Sequence, residues 1–218
     1  MLKVMIGYDP KESVAYHVLS HSILSRSSVP VSITPICLNY FKGHKKDPKA
    51  STEFSLTRFL TPMLAGYQGK ALFLDCDMLV TCDISELFDF CGDKSVYVVK
   101  HNYTPKSDKK FLDNDQHKYP KKNWSSVMLF NTDKCKKLTN DFVLNSSPSV
   151  LHQFKWCHSS EIGELGLEWN HLVGEYDPNP DAKIIHFTNG IPPFKGMGRQ
   201  EHARHWRDEF KAMTYAAN

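Results

Sequence analysis

The feature that most constrains this chain is the stretch from Ala71 to Thr81, in which Ala-Leu-Phe-Leu runs into Asp75-Cys76-Asp77 and then into Met-Leu-Val-Thr. A continuous apolar run of this length reads as a strand buried on both faces, the kind found in parallel sheets covered by helices. Side chains alternate along a strand, so Asp75 and Asp77 are expected on one side and Cys76 on the other. Two carboxylates that close repel each other and lose hydration, at a cost of several kcal/mol per ion unless a cation or well-made hydrogen bonds compensate. A hard divalent cation, Mg2+ or Mn2+, supplies that compensation, drawing its oxygens from one or two carboxylates and from substrate phosphates. Open α/β sheets bind ligands beyond the carboxyl ends of their strands. The pair therefore predicts a metal site that receives a diphosphate.

The flanking sequence predicts the sheet such a site needs. Leu2–Ile6 is a short apolar run closed by Gly7-Tyr8-Asp9-Pro10, a strand followed by a turn. From Ser13 to Arg26, Val14, Val18, Leu19, Ile23 and Leu24 recur at helical spacing. Val29–Leu38 reads as a second strand, giving a β-α-β opening and a parallel sheet with right-handed crossover. After the Lys-rich 39–50 connection, a helix is expected from about Thr52, its apolar face made by Leu56, Phe59, Leu60, Met63 and Leu64. Pro62 has no N–H for the carbonyl of Arg58 and should kink or end it. Asp83–Phe90 reads as a short helix and Ser95–Val99 as a strand. Residues 100–123 are polar, with seven lysines, and are expected to cross the ligand edge of the sheet as a long loop. Trp124–Asn131 returns as a strand, a helix-rich stretch runs to about Leu165, and Lys183–Phe187 is the last strand. A glycine- and proline-rich loop then leads to a helix over Gln200–Met213. There is no internal repeat and no domain boundary, so one α/β domain over 1–218 is expected, a mixed, mostly parallel sheet flanked by helices.

Composition excludes other classes. With 218 residues, a net charge of +3 and Lys and Arg spread along the chain, nothing resembles a nucleic-acid-binding arm. The six cysteines form no Cys-x-x-Cys pair and share no zinc-site spacing with histidine, which points to free thiols in a reducing compartment. The first residues are too short for a signal peptide, and no run approaches the length of a membrane span. A cytoplasmic location is expected. The lysines of 100–123 leave room for an anionic acceptor or peripheral membrane contact, with a solvated face the ordinary reading.

Together these stretches resemble glycosyltransferase family 8, the glycogenin-like retaining glycosyltransferases, and more closely its compact microbial or viral members, over almost the whole chain. Leu74-Asp75-Cys76-Asp77 matches the Asp-x-Asp signature. Ile6-Gly7-Tyr8-Asp9 is similar to the first strand and turn that holds the donor nucleobase, and Arg58 to the basic residue a helix carries toward the donor. Trp124-Ser125-Ser126-Val127 sits where relatives have Asn-Ser-Gly-Val. Glu161-Ile162-Gly163 occupies the place of Asp-Gln-Gly, Trp169-Asn170 matches a Trp-Asn pair, and His186-Phe187 the metal-binding histidine strand. The resemblance implies a GT-A fold and retention at the anomeric carbon. It also implies a nucleotide-diphosphate sugar donor, UDP-sugar favoured, and a glycan or glycoconjugate acceptor. The implied cofactor is Mn2+ (or Mg2+), held by Asp75, Asp77 and His186. Asp77 and Glu161 take catalytic roles in this reading. Gly7, Tyr8, Asp9, Arg58, Asp75 and Cys76 bind the donor, joined by Asn189, Gly190 and Lys195 from the loop after His186. Trp124, Ser125, Trp169 and Asn170 face the sugar or acceptor. This chain departs from the family at Pro192-Pro193-Phe194, where Lys-Pro-Trp is usual, at Trp124 and at Glu161-Ile162. Two rival readings are a catalytically silent nucleotide-sugar-binding module and a sugar-1-phosphate nucleotidyltransferase. The latter needs a glycine-rich phosphate loop that Tyr8–Glu12 lacks.

Overall fold

The computed structural model describes residues 1–90, 92–106 and 120–215, with the backbone of 109–110 and 114–115. Its centre is a sheet of six strands in the order β2-β1-β3-β8-β5-β9. β1 (Leu2–Tyr8), β2 (Val31–Cys37) and β3 (Lys70–Leu74) run parallel. β8 (Val127–Asn131) runs against both β3 and β5 (Val96–Val99), and β9 (Ile162–Leu165) lies parallel to β5. One strand in six is therefore reversed, and the sheet is mixed but mostly parallel. Val4, Ile6, Leu72, Phe73, Leu74, Val98, Met128 and Phe130 are fully enclosed, as the unbroken apolar runs require of a sheet covered on both faces.

A second sheet of three strands, β10 (His171–Leu172), β11 (Ile184–His186) and β4 (Met78–Val80), stands beside the first. The acidic stretch is therefore not one strand. β3 stops at Leu74, the chain turns through Asp75–Asp77, and β4 joins the other sheet antiparallel to β11. Apolar sequence continues across the turn because each half is buried in a different sheet.

α1 (Ser13–Arg26) buries Ala15, Val18, Leu19 and Ile23, whereas Leu24, on the next radial position, is exposed. Ser22 ties this helix to β4, its Oγ accepting from the Val80 N–H at 3.1 Å. The helix expected from Thr52 is instead a 3-10 turn over Thr57–Leu60 followed by the single-turn α2 (Thr61–Leu64). Pro62 lies in the first turn of α2, where a missing N–H costs nothing, so it starts this helix rather than ending one. α3 (Ser85–Phe88) follows. Within the 100–123 segment, β6 (Lys109–Lys110) and β7 (Asn114–Asp115) pair as a two-stranded ribbon; Lys118 lies outside the described residues. Lys121 and Lys122 are not on a solvated face. Lys121 Nζ donates to the Gln153 carbonyl at 2.7 Å over the ring of Trp124, and Lys122 is buried.

Trp124–Ser126 belong to the turn before β8 rather than to the strand. α4 (Asn140–Asn145) and α5 (Pro148–His152) make up the helical stretch, which ends before β9 instead of running through it. α6 (Ala203–Thr214) closes the fold, packing Trp206, stacked on Phe210, toward α1. The described cysteines, at 37, 76, 82, 135 and 157, are free. No helix among the described residues is long and apolar enough to cross a membrane.

Candidate active site

The turn 75–77 bridges the seam between the two sheets and is fixed from both. The Asp75 N–H donates to the Ser126 carbonyl at 3.0 Å, and the Phe187 N–H to the Asp77 carbonyl at 2.9 Å. Asp75 and Asp77 are half-buried and Cys76 is fully enclosed, so the turn keeps the two carboxylates together and the thiol apart from them. Asp75, Asp77 and His186 each bring a ligand atom within 4.8 Å of the others.

Each of the three is oriented by a neighbour. Arg58 Nη1 lies 2.8 Å from Asp75 Oδ1. The guanidinium is buried, donates to the carbonyls of Ser55 and Ser125 at 2.9 Å each, and lies 5.2 and 5.1 Å from the ring centroids of Phe54 and Phe73. It is neither a surface group nor one extended to solvent, and its fork serves Asp75. Phe54 can lie here because Gly7 has no side chain: a Cβ there would meet the Phe54 ring at 2.3 Å. His186 Nε2 stands 3.2 Å from Asp77 Oδ1. On the other side of the ring Nδ1 lies 2.9 Å from Asn170 Oδ1, while Asn170 Nδ2 donates to Ser126 Oγ at 2.8 Å. Ser126 Oγ gives its own proton to the Asn123 carbonyl at 2.7 Å, so it can only accept from Asn170. That chain orients the Asn170 amide and places an imidazole proton on Nδ1, so that Nε2, the nitrogen facing the carboxylates, is the one that takes a second proton or a cation. Burial pulls the His186 pKa down, but Asp77 and Asp75 together carry it above its ordinary value. A cation at this point therefore competes with a proton for Nε2.

Glu12, unnoticed in the sequence because a glutamate in a first helical turn is ordinary, lies beneath the same carboxylates. Burial first, then Asp77, Asp9 and Asp75, push its pKa up to about 9, so it is a neutral acid near pH 7. Cys76 Sγ points at Glu12 Oε2, 3.8 Å away, and not into the site. The crowding of acids shows how much negative potential the seam concentrates. Two carboxylates and a neutral imidazole nitrogen in that field form a donor set that fits Mn2+ or Mg2+.

The remaining predicted residues separate into five groups. Tyr8 is half-buried beside Tyr16, and both oxygens of Asp9 accept backbone N–H groups, from Lys11 and Glu53 at 3.0 Å each. Trp124 and Ser125 lie in the turn before β8. Trp124 Nε1 donates to the His101 carbonyl at 2.9 Å, and Ser125 Oγ lies 2.9 Å from His152 Nδ1. His152, overlooked inside a helix-rich stretch, also reaches Ser55 Oγ at 3.1 Å and so joins the Arg58 turn to Ser125. Asn123, in the turn before β8, carries a left-handed φ of 60° and donates to Tyr103 Oη at 2.9 Å. Asn189 donates to Glu175 Oε1 at 3.0 Å, Gly190 takes a φ of 133° that a side chain would resist, and Lys195 is exposed on the same loop.

Trp169 and Asn170 do not face an open pocket. Trp169 is buried under Lys183 Nζ, 4.7 Å from its ring centroid, and Asn170 is fully enclosed behind His186. Glu161 is not brought to the site at all. The register Lys70↔Asn131, Val96↔Phe130 and Val96↔Ile162 sets it level with the start of β3, whereas Asp75 follows the strand's end. Five residues of strand separate those levels, about 16 Å. Its carboxylate caps a turn instead, accepting from the His158 N–H at 2.8 Å and from Ser95 Oγ at 3.0 Å.

Residues 12–141 match the family model described as glycosyl transferase family 8. The chain is 42% identical to Protein CDI of Arabidopsis thaliana, over 96% of this chain and 86% of that one. The galactosyltransferase LgtC, solved with donor and acceptor sugar analogues, superposes with a TM-score of 0.64 at 12% identity, over 100% of this chain and 98% of that one. The glycosyltransferase GlyE of Streptococcus pneumoniae TIGR4 gives 0.64 at 14% identity, with 98% of this chain against 63% of that one. For the bifunctional glycosyltransferase WbbM the values are 0.63, 15%, and 96% against 49%, so this chain spans about half of that protein. At such identities the structural likeness speaks for the fold, while the family match and the plant relative speak for descent. On both counts the chain belongs to glycosyltransferase family 8 and is a glycosyltransferase of GT-A fold.

Proposed function

We propose that the chain acts as one GT-A unit and moves a sugar, with retention at the anomeric carbon, from a nucleotide-diphosphate donor to a hydroxyl of a glycan or glycoconjugate. UDP-glucose and UDP-galactose are the first donors to test. The observation that carries the reading is the triplet Asp75, Asp77 and His186 beyond the carboxyl end of β3, with the histidine proton fixed on Nδ1 by Asn170. These three residues hold Mn2+ or Mg2+, which serves as a Lewis acid for the diphosphate leaving group. Arg58 holds the Asp75 carboxylate in place, and the loop beyond His186, with Asn189, Gly190 and Lys195, would receive the incoming phosphate. Trp124, Asn123 and Tyr103 wall the side from which an acceptor enters. The leaving phosphate is basic enough to take the acceptor proton, so the reaction needs no side-chain base, and Glu161 is not required to supply one.

The test is a binding titration of UDP, GDP and their sugar conjugates, with and without Mn2+, on the wild type and on Asp77→Ala. Metal-dependent binding that Asp77→Ala abolishes supports the proposal, and the best-binding conjugate becomes the donor for transfer assays. Binding that ignores the metal, or no binding, overturns it in favour of a silent binding module.

A further inference from the structure

A second convergence of ligand atoms lies where α6 begins. His171 Nε2 stands 3.0 Å from Glu201 Oε2, and His202 Nε2 stands 2.9 Å from Glu201 Oε1. The two imidazoles are 3% and 6% exposed, and the three ligand atoms lie within 4.8 Å of one another. His171 precedes Leu172, the cross-strand neighbour of His186, so strand alternation turns it to the face away from the donor site.

The surroundings are built as those of a metal site are built. The Asn179 N–H donates to Glu201 Oε1 at 2.8 Å and fixes the carboxylate. His202 adopts φ 58° and ψ 4°, a left-handed backbone that non-glycine residues enter at a cost, at the point where it presents Nε2 to Glu201 and to the Asn179 carbonyl at 3.1 Å. Its other nitrogen, Nδ1, lies 3.1 Å from His205 Nδ1. An outer partner of that kind fixes the tautomer of a metal-bound histidine. Tetrahedral Zn2+, with bonds of about 2.0–2.1 Å, spaces its ligand atoms about 3.3 Å apart. The two nitrogen–oxygen distances to Glu201, 3.0 and 2.9 Å, are near that spacing, so a cation would take the place of the protons shared with its carboxylate. Two imidazoles and one carboxylate suit zinc far better than Mg2+, which prefers oxygen and water.

We propose that His171, Glu201 and His202 form a second, independent metal site for Zn2+, with water in the fourth position, that clamps the start of α6 to β10 and to the 179–181 turn. Its ligands are thirty residues apart in sequence and include no cysteine, which hides it from spacing rules.

The test uses the metal-stripped full chain carrying Asp77→Ala, which disables the donor site, with Zn2+ alone as the probe. One zinc per chain is expected by equilibrium dialysis. Free zinc at a hundred times Kd should raise Tm by about 5–10 °C, and Co2+ in its place should give the visible absorption of a tetrahedral ion. Adding Glu201→Gln, which keeps shape and one oxygen, or His202→Gln should weaken zinc binding at least tenfold while circular dichroism shows the fold retained. Absence of binding to the folded Asp77→Ala chain, or unchanged affinity after Glu201→Gln, overturns the proposal. Neither outcome bears on donor binding, which is read on the other site.

Discussion

Replacing Arg58 with methionine isolates the most charged contact of the donor site. Methionine keeps most of the volume between Phe54 and Phe73 but removes the guanidinium 2.8 Å from Asp75 Oδ1 and its two donations to carbonyls. Breaking a buried pair by deleting one partner costs about 3–5 kcal/mol, because the surviving charge stays buried. Asp75 then shares the seam with Asp77 and Asp9 and has lost the guanidinium that faces it. For a chain of this size, about 2–4 °C of Tm per kcal/mol gives a fall of about 6–20 °C. A divalent cation restores what the guanidinium supplied. Mn2+ should therefore raise the Tm of Arg58→Met by more than it raises that of the wild type. Thermal and urea unfolding at pH 7.5, each with EDTA and with saturating Mn2+, measure both quantities. A loss under about 1 kcal/mol, or an equal Mn2+ increment in the two proteins, would refute the electrostatic account of the site.

Further outcomes test its other parts. Asn170→Leu removes the acceptor that fixes the His186 proton and should weaken Mn2+ binding about 10–100-fold with little change in secondary structure, as titration calorimetry will show. Glu161→Ala should leave transfer within about twofold of wild type and cost about 1 kcal/mol of stability through the lost cap; a hundredfold fall in kcat would restore the catalytic role. Glu209 is buried; burial raises its pKa, but hydrogen bonds and charge from Arg26 and His21 pull it below the ordinary value. A depressed folded-state pKa contributes stability that is complete above the unfolded value of about 4.3 and is lost as pH falls through the folded one. Urea unfolding from pH 6 down to pH 3 should thus show a shallower acid decline for Glu209→Gln than for the wild type.

Much of this architecture was legible because local pattern and burial agreed. Leu2–Ile6, the 13–26 periodicity and Val31–Cys37 specify β-α-β without help, and Leu72–Leu74 specifies a central strand. What failed did so where two parts of the fold share one pattern. Met78–Val80 looks like a continuation of β3 because a strand in a second sheet is just as apolar. Ile162–Leu165 is too short and too glycine-marked to read as a strand. It forms one because Gly163 lets the Tyr97 ring lie against the backbone, where a Cβ would come within 2.1 Å. Of the site, the Asp-x-Asp turn and His186 were legible as residue types. Arg58 was legible as a rigid fork for phosphate or carboxylate, but not that the carboxylate it meets is Asp75, which lies on another element. Asn170 changed from a surface that touches sugar to a group that sets a proton, and Glu12 and His152 left no sequence signal because their partners come from distant turns.

The orientation of Cys76 bears on how the donor site meets chemical stress. A thiol flanked on both sides by the aspartates of the proposed donor site invites oxidation or alkylation in principle. Here it faces inward; burial first, and then the surrounding carboxylates, hold its pKa well above the usual thiol value. The thiolate is the reactive form, and Cys76 does not populate it. Electrophiles and peroxides that modify more open cysteines will pass this one by, so the signature turn carries a sulfur atom without carrying a redox liability.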